Sequence, residues 1–586
     1  MIKKILNNSY QNLISFALVC FLMVVSASTK ASLSDGLDAT YGTMDKFMPD
    51  VGAEKIIQDT RFEDDLDIED DLDITDRGEQ KTVKEADKEH PDTSFRLKKV
   101  VIDRNTVIKT PELKHLWADL IGKNITFSDL KKVSEKITKF YRQKGYFLSY
   151  ALIPVQEVSH GKVKIIIIEG YIDQTEVIFE DKSMHPSPKL RDMVQKISQE
   201  RPLNQSTFER YISLIRDLYP YAKGYLQPSE LNADGAADLQ VVIPKQPYFD
   251  GQVSVNNFGR DTIGPWMLGA NIETPAPWTR EDKIQARYNQ GTYASEFYAT
   301  GLGYTASLGT EGTTLGVDAM LSRSQPTGSI QTFDLVIHED RGSLTLLHPF
   351  IRSRELNLYA GLEFTARNQT RRVRFTESTK KERARELRFV TIASLQDDIG
   401  GRNAMRLSFT QGLRMLNSVD TSYINRTRSR GSSDHSFIEF NLSRLQKIKG
   451  PYAVGFYIDG QYANATLLDI NRYRSHGFPS NGAYPVGTLS GDSGIEGKIE
   501  FNYYNYDIPA LKVLRLFAYL SKVKVWNRHP QAGEFSSESA KGAGAGVQAV
   551  TEFGLSSTLQ YGYPFDNPVG NERIKPIVGF NMNYKF

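Results

Sequence analysis

The chain closes on "GFNMNYKF", residues 579–586, in which Phe580, Met582, Tyr584 and Phe586 alternate with Asn581, Asn583 and Lys585. Alternation with a period of two marks a strand that has one apolar face. The pattern recurs upstream. In "DKIQARYNQ" (282–290), Ile284, Ala286 and Tyr288 lie opposite Gln285, Arg287 and Asn289. In "PWMLGANIE" (265–273), Trp266, Leu268, Ala270 and Ile272 share a face. A water-soluble sandwich would also bury one face of each strand, but that face favours large aliphatics. Here the polar face is rich in Asn, Gln, Arg and Asp, and aromatics are frequent, as in the girdles of outer-membrane barrels. After Gln246, Gly, Asn, Asp and Pro separate such segments to the end of the chain. At about ten residues per strand, with short turns at one end and long loops at the other, this length suits 16 strands. A barrel that wide has room for an aqueous lumen, and its sheet must close because hydrocarbon cannot satisfy an open edge.

The rest of the composition narrows the class. The chain has 586 residues, 40% of them hydrophobic, and a net charge of +2, which lacks the basic footprint of nucleic-acid binding. Lys3 and Lys4 precede the apolar run "LISFALVCFLMVV" and the small residues of "SASTKAS". The run is shorter than the ~20 residues of a spanning helix, so 1–31 reads as a secretory signal peptide cleaved after Ala27 or Ala31. Cys20, the one cysteine, lies inside it. The mature chain is therefore expected to hold no disulfide, thiolate nucleophile or cysteine metal site. Residues 32–60 have near-helical apolar spacing, at Leu33, Leu37, Tyr41, Met44, Phe47 and Met48. "EDDLDIEDDLDITD" (63–76) is an acidic repeat, and 61–92 reads as a solvated linker.

From Phe95 a unit is repeated. "FRLKKVVID" reads as a strand, "TPELKHLWADLIGK" and "TFSDLKKVSEKITKFYRQKG" as helices, the second capped by Thr126 or Ser128, and "LSYALIPVQEV" and "KVKIIIIEG" as strands. The same β-α-α-β-β order follows in "TEVIFE", "SPKLRDMVQKIS", "NQSTFERYISLIRDLY", "AKGYLQPSE" and "DLQVVIPK". The units span 93–172 and 173–245, and the barrel 246–586.

This order resembles the two-partner secretion transporters, the haemolysin activation/secretion protein family of the POTRA plus β-barrel superfamily. "FYRQKGYFLSYALIPVQEVSHGKVKIIIIEGYI" (140–172) is similar to the family's first POTRA unit, and "RPLNQSTFERYISLIRDL" (201–218) with "GYLQPSE" to the second. "NNFGRDTIG", "LHPFIRSRELNL", "FTQGL" and "SRLQ" look like its barrel signatures. The fold class implied is two α+β POTRA-like periplasmic domains followed by a transmembrane antiparallel β-barrel of 16 strands, with 32–60 as a plug helix.

The resemblance also gives "PVGTLSGDSG" (485–494) a place. In the family the sixth extracellular loop folds back into the lumen, with a tip that reads Val-Arg-Gly-Tyr and a Ser-Gly-Asp-x-Gly stretch where the next strand begins. Aligned without gaps, the tip falls on Asn481, Gly482, Ala483 and Tyr484, and the strand start on "LSGDSG", with Leu489, Gly491, Asp492 and Gly494. The tip arginine is replaced by Gly482. Its partner, an aspartate on the inner wall, is replaced by Ser521 in "FAYLSKVKVW", and the glycine expected nearby is Val523. Losing both halves of an ion pair avoids stranding one charge in a confined lumen. The loop is then expected to be held by other contacts, from Tyr484, Arg472 or Arg474. Gly-Asp-Ser-Gly also occurs around the nucleophile of one class of serine proteases. A triad is recognised by geometry, however, and nothing brings a histidine to Ser493, so turn chemistry is the expectation there.

No catalytic, cofactor or metal residue is expected. The implied function is export, without ATP, of an unfolded client that is large, secreted and β-helical. The other implied partners are outer-membrane lipid and, during biogenesis, periplasmic chaperones and the barrel-assembly machinery. Two alternatives are an assembly factor for outer-membrane barrels, of the same superfamily, and a barrel-embedded hydrolase using Ser493.

Overall fold

The computed structural model describes residues 94–586, apart from 159, 230–233, 260–263, 478–481 and 569–573. The expected signal peptide, plug helix and acidic linker lie outside the described residues. The rest falls into two compact units that meet in sequence at Gln246 and Pro247.

The N-terminal unit contains two modules. In the first, Lys99–Asp103, Lys162–Ile168 and Tyr150–Leu152 form a sheet in that order, the first pair parallel and the second antiparallel. The stretch expected to be one helix over 110–123 is instead a single turn, α1 (Thr110–Leu113), followed by 3-10 turns at Lys114–Leu116 and Ala118–Leu120. Trp117 leaves helical geometry at φ −137° between those turns, and its ring enters the core beside Leu113. The helix α2 (Phe127–Gln143) packs Leu130, Val133, Ile137 and Tyr141 onto the sheet. Thr126 caps it: its Oγ1 accepts from Asp129 N at 3.3 Å, and the Asp129 carboxylate accepts from Thr126 N at 3.1 Å. Such a reciprocal box satisfies two helix-end donors at once. Burial, reinforced by the Glu169 carboxylate, holds the Tyr141 phenol protonated well above its ordinary range. It donates to Glu169 at 3.1 Å.

The second module repeats the plan with Tyr171–Phe179, α3 (Pro188–Gln199), α4 (Gln205–Leu218), Lys223–Pro228 and Ala236–Ile243, the last strand central in its sheet. Backbone bonds fasten the modules together, from Gln205 N to Gly145 O at 2.8 Å and from Leu203 N to Gly170 O at 3.0 Å. Phe147 of the first packs against Phe208 of the second, with ring centroids 5.8 Å apart. Gly145 is needed at this joint. It sits at φ +89°, and a Cβ there would lie 2.9 Å from the side chain of Asn204, the N-cap of α4.

In the second unit the described residues form a closed barrel of sixteen strands, from Asp250–Asn256 to Ile577–Lys585. The alternation read from the sequence sorts the two faces. Leu268, Ile272, Leu302, Phe389, Leu520 and Val578 are exposed on the outside. Gln285 is buried on the opposite face of its strand, and Arg287 binds Asp318 there. Such an apolar exterior is stable in hydrocarbon and would be unfavourable in water.

The seam between first and last strands pairs Asn256 with Asn581 through Gln252 with Lys585. It is extended at one end by reciprocal bonds between Gly251 and Phe586, both 2.9 Å. At the other end Asn257 bridges with its side chain, accepting from Phe580 N at 2.7 Å and donating to Val578 O at 3.0 Å. Phe580 and Phe586 close the seam with ring contacts to Trp266 and Phe249.

Leu302 is 53% exposed in the middle of Phe297–Leu308. Leu302→Arg is expected to destabilise the inserted barrel by about 2–4 kcal/mol. The outcome would be read as a lower temperature for loss of the compact, heat-modifiable band in electrophoresis.

Candidate functional site

Successive connections alternate between two ends, with turns such as 309–312 and 450–451 at one and the long connections 413–435 and 464–492 at the other. Counted along the described chain, 464–492 is the sixth connection at the long end. It is not a solvated loop. Leu467, Leu468, Asp469, Ile470, Asn471, Arg472, Tyr473 and Arg474 are all buried, as are Ala483, Tyr484, Val486, Leu489 and Asp492. Its partners are inward-facing residues of the wall, so it folds into the lumen. A 3-10 turn at Asp469–Asn471 and a two-stranded ladder between Tyr473–Arg474 and Ser490–Gly491 give it a fixed shape.

Two ionic centres hold it. The first is Asp469, which binds Arg371 of the wall strand Leu356–Val373 and the loop's own Arg474, at 2.9 Å. Glu382, on the neighbouring wall strand Ser378–Gln396, accepts from Asp469 N at 3.0 Å and Ile470 N at 2.9 Å. Arg367 donates to Ile470 O at 3.0 Å while paired with Glu339 at 2.7 Å. The second centre is Asp492, fully buried at 0% exposure. It binds the equally buried Arg428 and accepts from Leu467 N and Arg528 N, both at 2.9 Å. Arg428 comes from the loop 413–435 and also binds Glu534, on 527–536, at 2.9 Å. One guanidinium thus ties three loops together. Arg472, expected to help hold the loop, reaches Asn527 at 3.1 Å and Glu534 at 3.4 Å.

The tip residue Asn481 lies outside the described residues. Gly482 and Ser521 line a common small cavity, together with Tyr484, Leu489, Glu496 and Val523. Gly482 O accepts from Tyr519 Oη at 3.0 Å. Tyr484 Oη donates to Lys541 O at 2.7 Å and accepts from Asp566 N at 3.0 Å. Ala483 rests against the wall at Gly542, where an added Cβ would lie 2.6 Å from the alanine methyl group. Gly494 likewise leaves room for the Tyr473 ring, which an added Cβ would meet at 1.9 Å. Gly491 belongs to the loop ladder. The Ser493 hydroxyl is buried and accepts from Ala463 N at 3.0 Å, a backbone tie where the strand Ser493–Asn505 begins. The sequence reading did not find Asp469, Arg371, Glu382 or Arg428. A signal existed in "RNQTRRV", 367–373, where Arg367, Gln369 and Arg371 repeat every second residue on one strand face.

The comparisons with known proteins agree with this architecture. Residues 95–170 match the family described as POTRA domain, ShlB-type. The heme/hemopexin transporter protein HuxB of Haemophilus influenzae is 24% identical over 490 residues, covering 81% of this chain and 85% of that protein. The outer membrane transporter CdiB of Dickeya dadantii is 20% identical over 514 residues, covering 84% and 87%. The solved structure of CdiB from Escherichia coli superposes with a TM-score of 0.69 at 17% identity, covering 86% of this chain and 92% of that one.

Arg428→Ala leaves Asp492 buried without its charge partner, a loss of about 3–5 kcal/mol. In planar bilayers the variant is expected to open at least a hundredfold more often than the parent, and trypsin is expected to cut it at Arg472 or Arg474. Equal conductance and equal protection would show that Arg428 does not hold the loop.

Proposed function

We propose that this chain, which belongs with the two-partner secretion transporters of the outer membrane, passes one large partner protein from the periplasm through its barrel to the cell surface or the medium. The barrel spans the outer membrane and the POTRA modules stand in the periplasm. The observation that carries the reading is a wide barrel whose lumen is filled by a loop. That loop is held by side-chain contacts and caps rather than by continuous strand pairing, so it can leave without breaking the wall. The client is taken to arrive unfolded, and to be β-helical when folded. Its folding outside, worth ~5–15 kcal/mol for a domain, biases threading outward where no ATP is present. No enzymatic step and no cofactor enters this scheme, and the Ser493 hydroxyl is a structural acceptor within it. Lipid is the barrel's solvent, and its own biogenesis draws on periplasmic chaperones and the barrel-assembly machinery.

Client docking by strand addition is constrained by the modules themselves. The edge strand Tyr150–Leu152 is closed at its centre, because Ser134 Oγ of α2 donates to Ala151 O at 2.8 Å and Ala151 N donates to Thr138 Oγ1 at 2.9 Å. The remaining edges are Lys99–Asp103 in the first sheet and Tyr171–Phe179 and Lys223–Pro228 in the second. An extended client would add to one of these through main-chain bonds.

Deleting the gene and comparing surface and medium proteomes tests the reading. Loss of one large protein from both, with other barrels unchanged, is the expected result. General depletion of outer-membrane proteins would identify an assembly factor instead. Ser493→Ala is expected to leave secretion of the client intact, and abolished secretion would reopen the hydrolase reading.

A further inference from the structure

Asp459 and Glu496 stand directly opposite each other on adjacent wall strands, Tyr452–Ala463 and Ser493–Asn505. Both point inward, on the faces opposite the exposed Ile458 and Ile495. Like charges directly opposed across a sheet are destabilising unless a cation lies between them. On the Glu496 strand, the Lys498 ammonium is bonded to Glu500 at 2.9 Å and held 4.5 Å from the Tyr457 ring centroid. What faces the two carboxylates is His476, carried in by the sixth loop. Its Nδ1 lies 3.0 Å from Asp459 Oδ1 and 3.5 Å from Glu496 Oε2. The three ligand atoms all lie within 4.8 Å of one another.

We propose that Asp459, Glu496 and His476 form a binding site for a divalent transition metal, of which zinc is the representative. The site staples the sixth loop to the barrel wall. Ligands held about 2.0–2.1 Å from a tetrahedral Zn²⁺ are about 3.3 Å apart, so the two separations from Nδ1 bracket the value a shared ion would set. One imidazole nitrogen with two carboxylate oxygens suits zinc or its first-row neighbours better than calcium or magnesium, which favour all-oxygen shells. The surrounding bonds fix the donors. Tyr473 Oη donates to Asp459 Oδ1 at 3.0 Å and lies 3.4 Å from Glu496 Oε2, while His476 N donates to Glu496 Oε2 at 2.8 Å. Outer partners of this kind orient metal ligands and raise affinity. Because two ligands belong to the wall and one to the loop, the ion binds the folded-in loop and not the withdrawn one. It therefore shifts the pore toward the closed state by its differential affinity alone. The binding site stands on its own geometry, whereas its effect on the pore rests on the transport reading above.

The test is calorimetric titration of ZnCl₂ into the untagged, detergent-folded, EDTA-stripped full chain at pH 7.5, with MgCl₂ and CaCl₂ as parallel arms. One zinc per chain is expected, unaffected by millimolar magnesium or calcium. His476→Ala, Asp459→Asn and Glu496→Gln are each expected to weaken binding about a hundredfold. Asp459→Asn and Glu496→Gln keep side-chain size, and His476→Ala leaves the wall untouched, so each retains a heat-modifiable barrel. In bilayers, micromolar zinc is expected to suppress openings of the parent at least tenfold and to leave His476→Ala unaffected. The proposal is overturned if no saturable zinc binding occurs, if the variants bind as the parent does, or if calcium or magnesium displaces zinc. Zinc binding in a chain that exports no client would overturn the transport reading and leave the site standing.

Discussion

Every other feature depends on closure of the sheet between Asp250–Asn256 and Ile577–Lys585. Hydrocarbon offers no partner for a backbone N–H or C=O, so an open edge in the membrane would forfeit several kcal/mol for each exposed group. The seam is short, and side chains extend it where ladder pairs run out. Asn257 bonds two backbone groups of the last strand, and the terminal Phe586 pairs reciprocally with Gly251. The C-terminal aromatics therefore serve two ends at once: they face lipid, and they finish the cylinder. Only a closed cylinder has an inside, and the lumen chemistry follows from that.

Inside, the sheet's polar face becomes a confined, poorly hydrated surface. Gly482 and Ser521, which stand where the resemblance expects an arginine and an aspartate, line one cavity together with Glu496 and Lys522. In this lumen the wall supplies the guanidinium, at Arg371, and the loop supplies the carboxylate, at Asp469. Pairing the two preserves charge balance. A buried pair contributes little net stability against well-packed apolar residues, but a lone member is strongly destabilising, so the two halves must be kept or lost together. The same constraint applies at Asp492, whose Arg428 is shared with Glu534 across three loops.

The barrel was legible because alternation is a property of the chain itself. "GFNMNYKF" and "DKIQARYNQ" carry the two faces of the wall without reference to any neighbour. The modules were legible for the same reason, with helical spacing in 127–143 and 205–218. The broken helix after Thr110 was not, because its periodicity is intact and the break lies in the backbone at Trp117, where a tertiary demand outweighs local propensity. The lumen network was the least legible part. Arg371 and Asp469 are separated by 98 residues, Arg428 and Asp492 by 64, and no local pattern joins them. The tip alignment rests on glycine and tyrosine positions, which are local and cannot name distant partners.

The two kinds of contact in the loop divide its work. Asp469, Arg472, Arg474 and Asp492 would recover hydration on leaving the lumen, so the many bonds they make do not add up to a matching barrier. They fix where the loop sits and penalise wrong placements. Leu467, Leu468 and Ile470 are almost wholly buried, and their exposure would cost on the order of 5–9 kcal/mol together. That is comparable with what a folding client domain releases, ~5–15 kcal/mol. On the transport proposal folding happens only after threading, so it cannot open the pore that threading requires. The opening work would then have to come from client docking in the periplasm or from apolar client segments that replace these three side chains in the lumen. Folding outside would make the passage irreversible. A loop positioned by charges can follow that order, because beyond those three apolar side chains its release asks mostly for substitute solvation, which an incoming polar chain and its water would supply.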